Sequence, residues 1–375
     1  MSAHAHPRDA THIDLAPGYR ISRLIKGGWQ LAGGHGPVAH AQALADMAAF
    51  VDAGITTFDC ADIYTGVESL IGDFLREHRL RQRRAADART NGDTEHTVAH
   101  APRSHEPVHV HTKFVPDLDV LAGLTAHDIR GIIDRSRERL GVRALDLLQF
   151  HWWDFSVPGC LDAVHYLDAL RREGRIRHLG VTNFDTPHLQ ELLGAGLPIV
   201  SHQLQYSLLD RRPAGAMAAL CRSHGVGLLA YGALAGGFLS ERWLGVAEPG
   251  EPLENRSLTK YKLIIDEFGG WALFQELLRA CREVGGRHGV GIGTVAIRWV
   301  LDQPGVAAVI VGARHAQHLA ATRAALTLQL TDADRATLGA VLDRASGPLG
   351  DVYHLERDRT GPHGRIMRYN LNAVR

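Results

Sequence analysis

The chain has 375 residues, 45% of them hydrophobic, which is enough for one large core or two ordinary ones. Its 41 basic and 41 acidic residues cancel, so composition gives no electrostatic footprint for nucleic acid or for an anionic membrane. The four cysteines are far apart and form no C-x-x-C pair, no uncharged apolar run reaches the roughly 18 residues of a membrane span, and the start is polar; a reduced, cytoplasmic protein without a secretory leader is expected.

Taken in chain order, residues 10–21 read as a short hairpin. Short apolar runs then alternate with longer helical patterns, the mark of βα units and a parallel sheet. Eight strands are predicted near 22–29, 55–60, 108–113, 145–150, 177–181, 199–203, 226–231 and 306–311. Helical stretches are predicted at 41–53, 67–79, 125–140, 158–173, 186–195 and 213–224. Thr125 opens one periodic run that stops at Gly141, and Asp185 precedes Thr186-Pro187, with proline in the first turn. Residues 81–107 are charged and poor in apolar side chains, so a polar, mobile surface insertion is expected there. Residues 235–270 read as a long glycine-containing loop. Residues 346–375 trail beyond the last helix yet carry Val352, Tyr353, Leu355, Ile366, Met367 and Tyr369, so this tail is expected to fold back over the substrate pocket, with Arg357, Arg359, Arg365 and Arg368 available to substrate or cofactor anions; the alternative is a tail packed on the outer wall of the barrel or at an oligomer interface. Eight alternations favour one closed (β/α)8 TIM barrel spanning 1–375 over an open sheet; such a barrel takes about 250 residues before insertions.

Active sites of such barrels lie at the C-terminal ends of the strands. There the chain places Asp59 and Tyr64, Lys113, Gln149-Phe150-His151, Thr182-Asn183, Gln203, Tyr231 and Gly312-Ala313-Arg314. Any one of these has an ordinary structural role on its own. Together, Asp59, Tyr64, Lys113 and His151 form a working set. Tyr64 would donate a proton, the Lys113 ammonium would lower its pKa, Asp59 would hold Lys113, and His151 would orient a substrate oxygen. Trp152 and Trp153 follow His151, and at least one is expected to wall the substrate pocket; Trp29, at the end of the first strand, is a candidate for both substrate and cofactor contact. His109 and His111 share a strand face, but no third ligand has matching spacing, so no metal is expected.

These residues resemble the aldo-keto reductase superfamily over most of the chain. Gly54-Ile-Thr-Thr-Phe-Asp-Cys-Ala-Asp-Ile-Tyr64 is similar to G-[IV]-x-x-[FI]-D-x-A-x-x-Y. Lys113 in HTKF matches the family lysine, and Asp146 to His151 matches D-L-x-x-x-H. Gly180 to Phe184 resembles G-V-S-N-F, Gln203 to Tyr206 resembles Q-x-x-Y, and Ala230 to Leu234 resembles A-Y-S-P-L.

The resemblance implies hydride exchange between a nicotinamide cofactor and an aldehyde, ketone or sugar carbonyl. Thr182, Asn183 and Gln203 would hold the nicotinamide amide, and Tyr231 would stack on its ring. Gly232, Leu234 and Gly236 would lie along the phosphates, with Gly312 on the other side. No G-x-G-x-x-G follows a predicted strand; Gly289-Val-Gly-Ile-Gly293 reads as a connector between helices. The adenosine segment departs from the family, with His318, Ala321 and Thr322 in place of its glutamine and Glu-Asn pair. Arg314 survives as a partner for a 2′-phosphate, so NADP(H) is expected over NAD(H). The partner is a small-molecule carbonyl compound, not nucleic acid or membrane, and the oligomeric state stays open. A rival is a non-catalytic cofactor sensor of the same fold, similar to the potassium-channel β-subunits.

Overall fold

In the computed structural model the chain is described over residues 10–33, 36, 38–90, 107–312 and 315–372. Ten strands follow in order: β1 (His12–Ala16), β2 (Tyr19–Ser22), β3 (Leu24–Gly27), β4 (Thr57–Asp59), β5 (His109–Phe114), β6 (Leu145–Phe150), β7 (Ile176–Thr182), β8 (Ile199–Gln205), β9 (Gly227–Tyr231) and β10 (Val306–Gly312). β3 to β10 pair in parallel and close into a barrel when β10 meets β3. The eight predicted strands are therefore the eight barrel strands. Helices lie between them and bury their apolar stripes on the outer wall of the sheet.

The hairpin of β1 and β2 is antiparallel and plugs the end of the barrel where the strands start. Leu15, Tyr19 and Ile21 pack there on Ile25, Leu147, Leu229 and Ile310, a core separate from the one between barrel and helices. The Tyr19 ring stacks on His178 at 4.3 Å and meets His109 edge-on at 4.8 Å. One mouth is thus filled by the hairpin, and the polar strand ends gather at the other.

Local signals in the sequence explain several boundaries. Thr125 and Asp128 form a capping box on the helix Ala126–Leu140, which stops at Gly141 in the left-handed region. The Asp185 carboxylate accepts the His188 N–H at the start of Thr186–Gly194. Gly289 and Gly291 end one helix, Gly270–His288, and open the next, Ile292–Leu301, as a connector should.

Three expectations change. The helix predicted for 67–79 runs from Val67 to Thr90 and takes up the start of the expected insertion, whose residues 91–106 lie outside the described residues. The segment 235–270 is not a plain loop: Asn255 caps a helix, Arg256–Phe268, which buries Leu258, Tyr261, Ile264, Ile265 and Phe268. That spacing is helical, and the flanking glycines and prolines mask it. The segment 346–372 contains two helical turns, His354–Arg357 and Pro362–Arg365. No helix among the described residues is long and apolar enough to cross a membrane.

Candidate active site

The barrel register brings the polar strand ends together. Asp59 pairs with His111, and residues 109, 111 and 113 share the inward face of β5, so Lys113 rises one step above Asp59. The Lys113 Nζ donates to Asp59 Oδ2 at 2.6 Å and to the Cys60 carbonyl at 2.8 Å. Asp59 Oδ1 accepts from Nε2 of Gln149 at 3.0 Å and from Nε2 of Gln203 at 2.6 Å. Both partners of the ion pair are buried, a costly placement offset here by close contact and by hydrogen bonds on each carboxylate oxygen. Burial pulls the Lys113 pKa down; Asp59 and then Tyr64 push it back, and it ends raised to about 12.

Tyr64 lies in the turn after β4. Its ring centroid is 5.1 Å from Lys113 Nζ, and Trp29 meets it edge-on at 5.1 Å. Burial raises the Tyr64 pKa above its ordinary value, and the Lys113 ammonium offsets only part of that. The expectation of a lowered pKa is thereby corrected. The lysine acts in the expected direction, but desolvation outweighs it, so the phenol keeps its proton at neutral pH.

His151 follows β6. Its Nδ1 lies 3.1 Å from the Thr182 carbonyl, which can only accept, so the proton sits on Nδ1. Burial, reinforced by Arg357, lowers its pKa to about 3, so the ring is neutral and Nε2 is a bare acceptor. That Nε2 is buried and has no hydrogen-bond partner among the described residues. Trp153 meets the His151 ring edge-on at 4.3 Å, and its indole N–H donates to the Pro116 carbonyl at 2.9 Å. Trp152 points elsewhere: it is fully buried in the core beside Phe150, donating to the Val157 carbonyl. Of the two tryptophans, Trp153 is the one against His151.

Around this centre stand the other strand ends. Thr182 is buried at the end of β7, and Asn183 follows at φ 61, a left-handed conformation that asparagine tolerates better than most residues. The Tyr231 hydroxyl donates to Asn183 Oδ1 at 2.8 Å. Gln203 turns inward to Asp59 and Gln149. The Lys260 Nζ stands 5.0 Å over the Tyr231 ring and 5.7 Å over Tyr261. Gly232 and Gly236, both at positive φ, must be glycines: a Cβ at either would come within 2.5 and 2.8 Å of Tyr261. Leu234 is half-buried between them. Gly312 ends β10 beside the Gln30 side chain, and His318 is exposed after it. Arg314 lies outside the described residues.

The C-terminal segment supplies residues that were not singled out individually as site candidates. Tyr353 meets the His151 ring edge-on at 5.6 Å, and Tyr369 meets Trp153 at 5.1 Å. Arg357 Nη2 donates to the Asn183 carbonyl at 2.8 Å. Asp351 accepts from Thr186, and Asp117 accepts from the backbone N–H groups of Leu371 and Asn372. Gln149 was legible, since it lies two residues before His151 on an inward-facing strand. Lys260 and Tyr261 were hidden with their helix. Among the described residues no three His, Cys, Asp or Glu side chains are grouped to hold a metal ion.

A sequence model of the Aldo/keto reductase family matches residues 23–343. This chain belongs to that family. Among curated relatives, the NADH-specific methylglyoxal reductase of Escherichia coli is 30% identical over 225 residues, covering 59% of this chain and 66% of that one. Aldo-keto reductase YhdN of Bacillus subtilis is 25% identical over 347 residues, covering 90% of this chain and 95% of that one. Flagellar radial spoke protein 5 of Chlamydomonas reinhardtii is 27% identical over 319 residues, and this reductase-family chain spans 56% of its length. The glycerol dehydrogenase AKR11B4 of Gluconobacter oxydans superposes with a TM-score of 0.72 at 22% identity, over 91% of this chain and 98% of that one, a likeness of fold.

Proposed function

We propose that the chain catalyses the reversible reduction of an aldehyde, ketone or sugar carbonyl by NADPH, with Tyr64 as the proton donor. The observation that carries this is the buried Asp59–Lys113 pair beside Tyr64, together with a histidine at the end of the adjoining strand whose Nε2 is left without a partner. Aldo-keto reductases use NAD(P)H. Thr182, Asn183, Gln203 and Tyr231 offer hydroxyl and amide groups around one point. Lys260 stands over the Tyr231 ring and adds positive charge there, although burial lowers its pKa and Glu356 only partly offsets that. The donor set therefore fits a dinucleotide whose nicotinamide would lie against Tyr231, with Trp29 alongside and the phosphates toward Gly232, Leu234, Gly236 and Gly312. When bound, that group supplies the hydride.

The protein's part is to place and move a proton. Tyr64, held protonated by burial, donates its hydroxyl hydrogen to the carbonyl oxygen. Lys113 stabilises the tyrosinate left behind, and Asp59 fixes the ammonium there. The bare Nε2 of His151 accepts the hydrogen of the new hydroxyl and so orients the alcohol. Trp153 and the docked tail keep water from the reacting groups. Arg314 favours the 2′-phosphate of NADPH, with NADH as the alternative.

A second reading has an observation of its own. Tyr353 closes on His151, where a carbonyl substrate would sit, as expected of a protein that holds cofactor without turning it over. The two separate in one experiment. The purified protein is mixed with NADPH or NADH and a panel of aldehydes, ketones and sugars, and absorbance of the reduced cofactor is followed. Carbonyl-dependent oxidation, faster with NADPH, supports the reductase. Tight cofactor binding with no consumption on the whole panel supports the sensor. Arg314→Ala should weaken NADPH far more than NADH, and an equal loss would remove Arg314 from that role.

A further inference from the structure

Beside the reacting centre a cavity of about 270 Å³ opens between the loop after β6 and the C-terminal segment. Trp153, Phe155 and Tyr369 form its apolar walls, and Arg357 and Arg359 face it. The two arginines differ. Arg359 is more than half exposed and paired with Asp154 at 3.1 Å. Arg357 places its guanidinium carbon 4.1 Å from the centre of the Phe155 ring, with one nitrogen on the Asn183 carbonyl. Its Nε and Nη1 are shut off from solvent without hydrogen-bond partners, and no carboxylate lies within ion-pair distance among the described residues. Two guanidinium N–H donors left unpaired in this way are costly unless an acceptor reaches them.

We propose that Arg357 binds the carboxylate of the substrate, so that the preferred carbonyl compounds are oxo acids. This rests on the reading that the carbonyl is reduced beside His151. Trp153 connects the two points: one part of its indole touches the His151 ring, and the same side chain lines the cavity that Arg357 faces. A short chain passing that side chain carries its carbonyl to Tyr64 and leaves its acid group with Arg357. A carboxylate can accept from one of the two unpartnered nitrogens and from the remaining hydrogen of Nη2 beside it. A phosphate fits less well, because Asp154 stands on the same wall and Arg359 is already neutralised by it. Phe155, against whose ring the guanidinium rests, helps to hold it in place. The sequence offered Arg357, Arg359, Arg365 and Arg368 as contacts for substrate or cofactor anions without distinguishing them; burial and pairing separate Arg357 from Arg359.

The test compares glyoxylate, succinic semialdehyde and glutaric semialdehyde with their methyl esters, and with glyceraldehyde phosphate, using the full-length protein and saturating reduced cofactor. At least one acid should exceed its ester in kcat/KM by roughly tenfold to a hundredfold, the size of one charge-assisted hydrogen bond. Arg357→Met should bring that ratio to about one, mainly through KM, and Arg357→Lys should restore part of it. Asp154→Asn moves the other way and raises the ratio by removing the negative charge from the wall, which keeps the test open if the Arg357 variants fold poorly. Butyrate, which has no carbonyl, is observed by ligand-detected NMR and should contact the wild type but not Arg357→Met. Butyrate binding through Arg357 in a protein that reduces nothing would sustain the anion site and remove the reductase reading. Reduction of esters and acids at equal rates, with no butyrate contact, overturns the anion site and leaves the reductase intact. Preference for the phosphorylated aldehyde over every acid overturns the carboxylate assignment.

Discussion

Tyr353, from the C-terminal segment, meets the ring of His151 edge to face at 5.6 Å, although the two are separated by most of the second half of the chain. The contact makes the tail part of the surroundings of the reacting groups. What holds it there is a buried charge network. The Arg212 guanidinium bonds Asp210 Oδ2 at 2.7 Å and both carboxylate oxygens of Glu356, at 3.1 and 3.2 Å, and all three side chains are almost fully buried.

Arg212→Met would leave two buried carboxylates, Asp210 and Glu356, without their ion-pair partner. A loss of about 3–5 kcal/mol is expected, the usual cost of breaking a buried pair from one side. Because Glu356 belongs to the tail, the loss should be partly local, and the segment after Ser346 should become sensitive to protease before the barrel unfolds. Denaturant unfolding with limited proteolysis checks this; unchanged stability and a resistant tail would show that the network does not hold the segment.

How the tail docks shows where the sequence was informative and where it was silent. Its aromatic and aliphatic residues signalled burial, and Val352 and Tyr353 are indeed buried. Which groups they would meet depends on loops from β6 and β7 that no periodicity describes. The barrel strands were legible because each is a short apolar run between turn signals, and Asp59, Lys113 and His151 because they end such runs. The helix Arg256–Phe268 was missed for the opposite reason: it sits in a segment rich in glycine and proline, so Lys260 and Tyr261 went unseen with it. The inward turn of Gln203 was also not legible. It follows from barrel stagger, which brings Gln149 and Asp59 within reach of the same amide.

Asp59→Asn keeps the shape of the side chain but removes the charge facing Lys113. The ammonium would then be buried with only neutral acceptors, and its pKa should fall well below its present value of about 12. Stability should drop by about 3 kcal/mol or more. The check is denaturant unfolding at two pH values: the deficit should shrink at alkaline pH, where the lysine sheds its proton. A deficit that stays constant with pH would argue against an unpaired ammonium as its cause.

Three buried histidines set the response to acid. His111, His151 and His202 are each lowered to about 3, in every case chiefly by burial. His202 Nε2 accepts the Phe184 N–H at 3.1 Å, a bond that protonation would break. Each ring stays neutral in the folded chain but takes a proton near pH 6.5 once unfolded. The unfolded state therefore binds more protons between about pH 6.5 and 3, and stability falls as pH drops through that window. The slope approaches about 1.4 kcal/mol per pH unit for each histidine. Melting temperature measured from pH 8 to 5 should be flat above about 7 and fall steeply below 6. A flat profile down to pH 5 would mean that these rings are already charged when folded.

The claim that Tyr64 delivers the proton is tested most directly by single-turnover kinetics on Tyr64→Phe. The variant is loaded with reduced cofactor and mixed with the aldehyde that the wild type reduces best. Phenylalanine keeps the ring against Trp29 and below Lys113, so cofactor affinity should stay within about twofold, while reduction should slow by roughly 10²–10⁴-fold, the usual contribution of a general acid. Reduction at a rate near that of the wild type, with cofactor bound as tightly, would contradict the account.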